Sequence, residues 1–494
     1  MVSSIGSELF DEGRVIENTR RFALSDDCYS QDVDDPTFLS PSALEKLQVE
    51  LLVRQLARLR AHSDAYSEVL AQSRIEECDS LSWLERLPLT TKEMYEAAPE
   101  RFRLGRTGQD PYEELWGLVH TTGTTTGRPA PFYDTGYDML AYWQMLLRVC
   151  KIAKMTSADM SVSVMPVPPM SHNAFLSSRD ACTVLNAPYV AAFVGTPHLE
   201  FPIHRRTDYA IHLIEKNNAT VIWGLASYVR HLLNRAVELG ADFSAVQLVW
   251  ALGEACPREM RDDIRLSLKA LGADPKNVRI NNGLGFTEMR GCFVECSELG
   301  GCHNPSPDLF VWEVIDKESG RQLPDGELGN LALTHINRRG TSLLRYLTGD
   351  EARITKERCK SCGRVGERVL PLHDSVYAVR SSEWVKFKGV LLHPAPIAGA
   401  LLAIAELTEF QIVLAKTVPS DPLSLDKLVI RVSEPSNNLE TRGRLLRRIR
   451  EAVLAACEIR PEVEWAERSD IFDPDKSIKA RRFIDVRPSL SPPI

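Results

Sequence analysis

The sequence lacks the features that would place it in a membrane or on nucleic acid. None of its apolar runs reaches the roughly 20 residues that a membrane-spanning helix needs. Residues Met1–Glu12 lack the basic start and the apolar run of a signal peptide. A formal net charge of −8 argues against general binding to nucleic acid or to anionic membrane surfaces. We therefore expect a cytoplasmic protein that binds neither nucleic acid nor a membrane.

Internal repeats and low-complexity tracts are also absent from the sequence. Hydrophobic residues make up 44% of the chain and charged residues 26%, which is typical of a globular protein. A chain of 494 residues is too long for one ordinary hydrophobic core. We expect two or three domains.

The hydrophobic pattern predicts helices first and then an alternation of strands and helices. Residues 41–62 have helical periodicity, with Ser42 as the expected N-cap. Between about 115 and 345, buried strands alternate with helical segments, which is typical of an α/β layered domain with parallel strands. The expected strands lie at 161–168, 219–225 and 245–252, and the expected helices at 206–218 and 227–240.

Two further regions have different patterns. Strand-like runs at 309–316, 329–336 and 341–347, joined by turns, predict an antiparallel annex within about 290–375. The last 115 or so residues predict a split βαβ unit, completed by one strand just before 389. The fold class is therefore a large multi-layer α/β domain (1–380) with a small α+β domain (381–494). In the small domain we expect helices at 394–406 and 439–457 and strands at 409–416, 427–434 and 460–467.

The stretch His120–Pro131, "HTTGTTTGRPAP", is rich in threonine and glycine. Glycine lets backbone N–H groups turn towards an anion, and threonine hydroxyls add neutral donors. It is not a Walker loop, because Arg128 and Pro129 stand where lysine and then serine or threonine would be needed. By itself the pattern fits a phosphate-binding loop and a solvated turn about equally well. Residues 121–128 are named the Thr/Gly loop below.

Four later segments change that balance. They are "ALGEACPREM" (251–260), "GLGFTEMRG" (283–291), "LLRYLTGD" (343–350) and "IKARRFIDVRP" (478–488). Their order and spacing, with the Thr/Gly loop and the C-terminal pattern, resemble the adenylate-forming (ANL) enzymes. The match is to the phenylacetate–CoA ligase-like branch, over most of residues 80–490.

The resemblance implies a role for each motif. The Thr/Gly loop would bind the ATP phosphates, residues 253–255 would form a backbone ledge for adenine, and Asp350 would bind the ribose hydroxyls. Arg380 would mark the domain junction, with a hinge at Ser382 or Glu383. The nucleotide-binding set is Thr121, Thr122, Gly123, Thr124, Thr125, Thr126, Gly127, Arg128, Gly253, Glu254, Ala255, Gly285, Asp350 and Arg380.

The catalytic residues implied by the resemblance are Thr287, Glu288 and Lys479. Glu288 would hold the Mg²⁺ that accompanies ATP, since hard cations prefer carboxylate oxygens. Lys479 would bridge the acyl carboxylate and the α-phosphate; the alternative is one more cation in a basic stretch. Candidate substrate contacts are His172, Tyr228 and Gly283.

Cysteine spacing predicts a metal site independently of these motifs. Cys296 and His303 lie seven residues apart, and Cys359 and Cys362 have zinc-knuckle spacing. Three thiolates and one imidazole form a closed, structural zinc set. Members of the same ligase branch carry such a pattern, which "ECSELGGCH" and "CKSCGR" match. Cys302 and Cys292 are alternative ligands.

The function implied by the resemblance is activation of a carboxylic acid by ATP. An acyl-adenylate and pyrophosphate form first, and coenzyme A then accepts the acyl group, which we expect to be aromatic. An amine, a carrier-protein thiol or another small nucleophile is the alternative acceptor. A non-catalytic nucleotide-binding scaffold is a further alternative, disfavoured by the retained Glu288, Asp350 and Lys479. We expect a monomer or a homodimer.

The sequence departs from the family pattern in four places. The Thr/Gly loop is one residue longer and has Arg128 for lysine. Leu284 stands where an aromatic residue usually stacks on adenine, and Phe286 lies two positions later. The junction reads "VRSSEWVKFKG", and "MPVPPMSHNAF" (165–175) replaces a Gly/Tyr-rich segment. These departures leave the adenine contact, the hinge carboxylate and the acyl pocket open.

Overall fold

The computed structural model describes residues 35–104, 115–121, 130–165, 173–194, 206–372, 376–380, 385–387, 390–404, 406–407, 409–421, 424–433, 439–473 and 480–488. The helices within them are α1 (Pro41–His62), α2 (Ser67–Ala71), α3 (Lys92–Ala97), α4 (Gly136–Ile152), α5 (Asn173–Leu185), α6 (Thr207–Lys216), α7 (Ala226–Leu239), α8 (Arg258–Ala270), α9 (Pro394–Leu402), α10 (Leu439–Cys457) and α11 (Arg468–Ile471). In this part of the chain, every helix is too short or too polar to cross a membrane.

The strands of the large domain begin with a hairpin and continue into one large sheet. The hairpin is β1 (Leu115–His120) and β2 (Pro131–Thr135). The sheet strands are β3 (Ser161–Ser163), β4 (Tyr189–Ala191), β5 (Val221–Leu225), β6 (Leu248–Leu252), β7 (Arg279–Phe286), β8 (Gly291–Glu295), β9 (Cys302–His303), β10 (Phe310–Ile315), β11 (Leu328–His335), β12 (Tyr346–Thr355), β13 (Arg368–Leu370) and β14 (Ala378–Arg380).

The sheet has a parallel half and an antiparallel half. Its order is β10-β11-β12-β13-β9-β8-β7-β6-β5-β3-β4, with β14 paired to β12. Strands β3 to β7 run parallel to one another, with α5, α6, α7 and α8 between successive strands. This confirms the predicted α/β class. The antiparallel annex is continuous with the parallel half, because β7 pairs directly with β8.

Local sequence explains where α1 begins. The N-cap is Ser40, whose side chain accepts a hydrogen bond from the backbone N–H of Ala43 at 3.2 Å, and Pro41 occupies the first helical turn. The predicted cap, Ser42, was therefore wrong by two residues, since proline is favoured at the first helical position. Leu52, Leu56 and Leu59 of this helix are buried in a second core.

One predicted strand of the annex was misplaced. The run at 341–347 was expected to be a strand, yet β12 begins only at Tyr346. Thr341 instead bonds to β2: its N–H donates to Tyr133 O at 2.9 Å, and its Oγ1 accepts from Tyr133 N at 2.9 Å. The segment before β12 therefore fastens the hairpin to the sheet.

The small domain has a four-stranded sheet in the order β19-β18-β17-β20. The strand predicted just before 389 was wrong as part of this sheet. It is β15 (Val385–Phe387), which forms a separate hairpin with β16 (Val390–Leu392). The place beside β17 is taken by β20, which runs parallel to it. The sheet strands are β17 (Phe410–Lys416), β18 (Asp426–Ser433), β19 (Glu462–Ala466) and β20 (Phe483–Asp485).

Helices α9 and α10 pack on this sheet around a core of their own. That core includes Ile412, Ile430 and Ile449, all fully buried. The predicted domain boundary, between residues 380 and 381, falls directly after β14, and the expected hinge at Ser382 or Glu383 lies outside the described residues. The boundary stays a prediction.

Candidate functional site

The carboxyl ends of β5, β6 and β7 meet at one edge of the parallel sheet. Leu225 pairs with Leu252, and Leu252 pairs with Gly283. Two of the predicted motifs, 251–260 and 283–291, lie where β6 and β7 end, and the candidate substrate contact Tyr228 follows β5. Ligands bind at this edge in open α/β sheets, so the topology brings the motifs to the place where a nucleotide is expected.

The predicted ledge at 253–255 is held by a network of hydrogen bonds. Gly253 has φ +72°, a left-handed conformation that favours glycine, and a Cβ there would also displace Leu225 Cδ2, 2.6 Å away. Asn282 Nδ2 donates to the carbonyl oxygens of Ala251 at 2.6 Å and Glu254 at 3.0 Å. Sequence analysis missed Asn282, which carries no signal beyond its place before the glycine-rich turn.

The side chain of Glu254 points to the start of α7. Its Oε1 accepts from Ser227 Oγ at 2.9 Å, and its Oε2 accepts from Ser227 N at 3.2 Å. A carboxylate is favourable at a helix N-terminus. Gly253 and Ala255 are exposed, so the backbone on either side of Glu254 faces solvent and suits a flat ligand.

The position of Phe286 bears on which side chain could contact adenine. Phe286 is buried and packs against Trp312 and Phe293, with ring centroids 5.2 and 6.3 Å away. It cannot therefore replace the aromatic residue missing at Leu284, which is only partly buried. Gly285, between them, is exposed.

Glu288 lies in the turn between β7 and β8, and both its carboxylate and its backbone carbonyl contact other residues. Its Oε1 accepts a hydrogen bond from the Tyr346 hydroxyl at 3.1 Å. Its carbonyl oxygen lies 3.0 Å from His335 Nε2. Thr287, beside it, accepts the N–H of Arg290 at its carbonyl oxygen, 3.0 Å away. Tyr346 stands inside the "LLRYLTGD" motif, whereas nothing in the sequence singled out His335.

The structure describes the neck of the Thr/Gly loop. Thr121 N donates to Ala130 O at 3.0 Å, and Ala130 N donates to Thr121 Oγ1 at 2.9 Å, which closes the loop between β1 and β2. The predicted phosphate contacts Thr122, Gly123, Thr124, Thr125, Thr126, Gly127 and Arg128 lie outside the described residues. The Tyr95 hydroxyl donates to Pro131 O, and its ring lies edge-on to Tyr346 at 6.2 Å. The neck is thereby tied to the partner of Glu288.

A buried charge cluster fixes β2 to the same turn. Asp134 is fully buried and forms ion pairs with Arg290 and with Arg338, the latter at 2.6 Å. Asp138 lies in the first turn of α4 and forms a capping box with the N-cap residue Thr135. Its carboxylate also accepts a hydrogen bond from Gly340 N at 2.6 Å. The cluster therefore joins the strand after the Thr/Gly loop to the turn of Glu288.

Replacing Asp134 with asparagine should lower the free energy of unfolding by about 3–5 kcal/mol, because two buried guanidinium groups lose a shared carboxylate. Urea unfolding measures the change. Asp262→Asn is the control, since its ion pair with Arg265 is exposed on the carboxylate side and should contribute at most about 1 kcal/mol. Equal small changes in both variants would contradict a stabilising role for the cluster.

The remaining predicted residues fall into three groups. Asp350 is buried on β12 opposite Arg380 on β14, and Gly349 before it has φ +82° with open space around it. Tyr228 and Gly283 are buried, and the Tyr228 hydroxyl lies 3.3 Å from Thr207 Oγ1. His172 and Lys479 lie outside the described residues.

The small domain contacts the large one through α7. Arg468 Nη2 lies 3.3 Å from His231 Nδ1, and the Phe472 ring meets the His231 ring edge-on at 6.0 Å. Arg230 Nη2 also donates to Leu407 O at 3.3 Å. Phe472 precedes Lys479 by seven positions. The chain leading to the predicted lysine thus packs on the helix that begins at the ligand edge.

The structure brings together the four predicted metal ligands. The ligand atoms of Cys296, His303, Cys359 and Cys362 all lie within 4.8 Å of one another. Cys302 is excluded, because neighbouring residues on a strand face opposite sides and its thiol points to Asn282 O at 3.8 Å. Cys292 is partly buried on β8 and is not part of the cluster.

The cluster has dimensions suited to a tetrahedral ion. Bond lengths of about 2.3 Å to sulfur and about 2.0 Å to nitrogen imply ligand separations of about 3.5–3.8 Å. Cys296 Sγ lies 3.7 Å from Cys359 Sγ and 3.3 Å from His303 Nε2, which lies 3.5 Å from Cys362 Sγ. The donor set and its spacing therefore fit Zn²⁺.

The same contacts favour the thiolate form, which binds zinc, at Cys359 and Cys362, whereas the hydrogen bond with Cys362 raises the pKa of Cys296 above its ordinary value. Hydrogen bonds with Cys296 and then His303 lower the pKa of the Cys362 thiol to about 2. Burial opposes ionisation of Cys359, but hydrogen bonds with His303 and backbone N–H groups bring its pKa down to about 7.

Comparison with known proteins agrees with this geometry. The family model described as AMP-binding enzyme matches residues 43–337, more than half of the chain. Phenylacetate-coenzyme A ligase of Thermus thermophilus is 26% identical over 406 residues, covering 79% of this chain and 82% of that protein. The Pseudomonas putida phenylacetate-coenzyme A ligase is 27% identical over 387 residues, covering 76% and 80%.

Solved structures share the fold. The crystal structure of 2-hydroxyisobutyryl-CoA ligase in complex with 2-HIB-AMP has a TM-score of 0.74 at 20% identity, over 95% of this chain and 96% of that one. A benzoate CoA ligase from Burkholderia xenovorans has a TM-score of 0.52 at 17% identity, over 77% and 70%. With the family match and the sequence relatives, these findings confirm the resemblance: the chain belongs to the AMP-binding enzyme family, in its phenylacetate–CoA ligase-like branch of the adenylate-forming enzymes.

Proposed function

We propose that the chain is an AMP-forming acid–CoA ligase whose acid is aromatic. The observation that carries the proposal is the family match over 43–337, within which Glu288 is buried and joined through Tyr346 and Tyr95 to the neck of the Thr/Gly loop. The two phenylacetate-coenzyme A ligases, each aligned over about three quarters of the chain, support CoA as the acceptor and an aromatic acid as the substrate.

The first half-reaction joins the acid to AMP. A carboxylate oxygen forms a bond to the α-phosphorus of ATP, and the bond from that phosphorus to the β-phosphate oxygen breaks, releasing pyrophosphate. The Thr/Gly loop holds the β- and γ-phosphates, the 253–255 ledge receives adenine, Asp350 binds the ribose, and Lys479 neutralises charge on the transferred oxygens. Glu288 would hold Mg²⁺, which offsets phosphate charge when bound.

The second half-reaction transfers the acyl group. The CoA thiolate forms a bond to the acyl carbon. The bond between that carbon and the phosphate oxygen of AMP breaks, and AMP leaves with the electron pair on that oxygen. Lys479 has no role in this step, so the small domain is proposed to rotate away. That rotation would break the contacts of His231 with Arg468 and Phe472.

A product analysis tests the proposal and separates the acceptors. The protein is incubated with ATP, Mg²⁺ and phenylacetate, benzoate or an aliphatic acid, and with CoA or a simple amine. We expect acyl-CoA and AMP in equal amounts, with an aromatic acid favoured. An amide in place of a thioester would overturn CoA as the acceptor, and an aliphatic preference would overturn the aromatic assignment. Binding of ATP without any product would favour a scaffold.

The four-residue metal cluster is proposed to hold a structural Zn²⁺. Its support is the donor set of three thiols and one imidazole, their separations, and the absence of an open ligand position in a four-residue set. The ion would join the loop after β8 to the turn at 359–362. Both lie in the antiparallel half of the sheet, so the site stabilises structure and takes no part in the chemistry.

A further inference from the structure

His335 is a fully buried histidine at the end of β11 that neither the metal cluster nor the nucleotide motifs use. Its two ring nitrogens have different partners. Nδ1 accepts a hydrogen bond from Leu343 N at 3.2 Å. The ring proton therefore resides on Nε2, which donates to the carbonyl oxygen of Glu288 at 3.0 Å.

Burial keeps this arrangement fixed. The imidazole is fully buried and both of its ring nitrogens are engaged, so it cannot turn without losing two hydrogen bonds. With Nδ1 acting as an acceptor, the ring has a single donor, Nε2–H, and that donor is committed to Glu288. The Phe310 ring packs beside the imidazole, with the two ring centroids 5.5 Å apart.

Tyr346 holds the side chain of Glu288, whereas His335 holds its backbone carbonyl. Its hydroxyl donates to Oε1 at 3.1 Å. Among the described residues, no hydrogen bond is made to Oε2 of Glu288. Backbone and carboxylate are therefore both held, while one carboxylate oxygen is left for another ligand.

We infer that His335 is a positioning residue for the metal-bound nucleotide: by holding the carbonyl of Glu288 it fixes the turn from which the carboxylate reaches the cation. Tyr346 fixes the carboxylate itself. Second partners of a metal ligand set its direction, and their loss costs about 10–100-fold in metal affinity. The inference rests on the proposed function, in which Glu288 binds Mg²⁺ beside ATP.

Binding of ATP measured by calorimetry without acid tests the inference apart from turnover. Affinity is compared in excess Mg²⁺ and in EDTA, for the wild type and for His335→Leu. The wild type should bind ATP more tightly with Mg²⁺. In the leucine variant, the increase in ATP affinity that Mg²⁺ causes should be about 10–100-fold smaller than in the wild type. Its affinity for ATP in EDTA should stay within about twofold of the wild-type value. An unchanged Mg²⁺ gain in the folded variant would overturn the inference.

Three further variants separate positioning from loss of packing. His335→Gln keeps a donor for the Glu288 carbonyl and should recover most of the gain. Phe310→Leu disturbs the same core without touching Glu288 and should keep it. Tyr346→Phe removes only the hydroxyl and should lose part of the Mg²⁺-dependent increase in ATP affinity. It takes the place of His335→Leu if the leucine variant does not fold. A glutamine variant as weak as leucine, or an equal loss in Phe310→Leu, would contradict positioning.

The proposed function is judged separately. If the wild type forms no AMP with any acid, the ligase assignment fails, whereas the calorimetric comparison still reports on the Mg²⁺ contact. If the wild type is active and the His335 variants keep the Mg²⁺ gain, only the positioning role is lost.

Discussion

Replacing Lys479 with alanine is expected to lower acid-dependent exchange of pyrophosphate into ATP by about 10²–10³-fold. Removing one preorganised group that stabilises developing charge has an effect of this size. Lys479 stands in the "IKARRF" segment and would approach the α-phosphate from the small domain. The Phe472–His231 contact supports this direction of approach, because it holds the preceding chain against α7.

The effect should be confined to the first half-reaction. Acyl transfer from a supplied acyl-adenylate to CoA should fall by less than about threefold, since the lysine is proposed to have left the site by then. Lys476→Ala is a matched control, because it removes a cation three positions before Lys479 in the same basic stretch, residues 476–482. An exchange rate near the wild-type value in Lys479→Ala, or an equal loss in the control, would show that the lysine assignment is wrong.

Removing a zinc ligand is expected to have the largest effect on stability. Cys362→Ser should reduce bound zinc from about one ion per chain to near zero. The free energy of unfolding should fall by more than about 4 kcal/mol, because zinc binding and folding of the two loops are coupled. Metal analysis of the purified protein and denaturant unfolding measure the two quantities.

Cys457→Ser is the matched control for this prediction. Its thiol is half-buried in the small domain and donates a hydrogen bond to the carbonyl oxygen of Val453. Its stability should change by less than about 1 kcal/mol, with zinc unchanged. A folded wild type without zinc would contradict the site directly. So would a Cys362 variant no less stable than the control.

Several features could be predicted because they depend on local pattern. The helix at 227–240 and the strands at 219–225 and 245–252 were found to within three residues, since apolar periodicity and length determine them. The four residues of the proposed metal cluster could be predicted to lie together because zinc chemistry requires particular residues at particular spacings. From the sequence, Cys302 remained an alternative ligand. In the structure its side chain lies on the opposite face of the strand from that of His303.

Other features depend on contacts between distant parts of the chain. Asp134 and Arg338 are 204 positions apart, and His335 and Glu288 are 47 positions apart, so no local pattern marks either pair. The segment at 341–347 has the composition of a strand, but Thr341 bonds to Tyr133 instead. In the small domain, a C-terminal strand took the edge position beside β17, which composition alone did not distinguish from the strand before 389.

Acid-dependent exchange of pyrophosphate into ATP, measured over a panel of aromatic and aliphatic acids with Mg²⁺, tests the central claim most directly. The account predicts exchange that requires the acid, is strongest with an aromatic acid, and needs no CoA. A folded sample that shows no exchange with any acid would contradict activation of an acid as an acyl-adenylate.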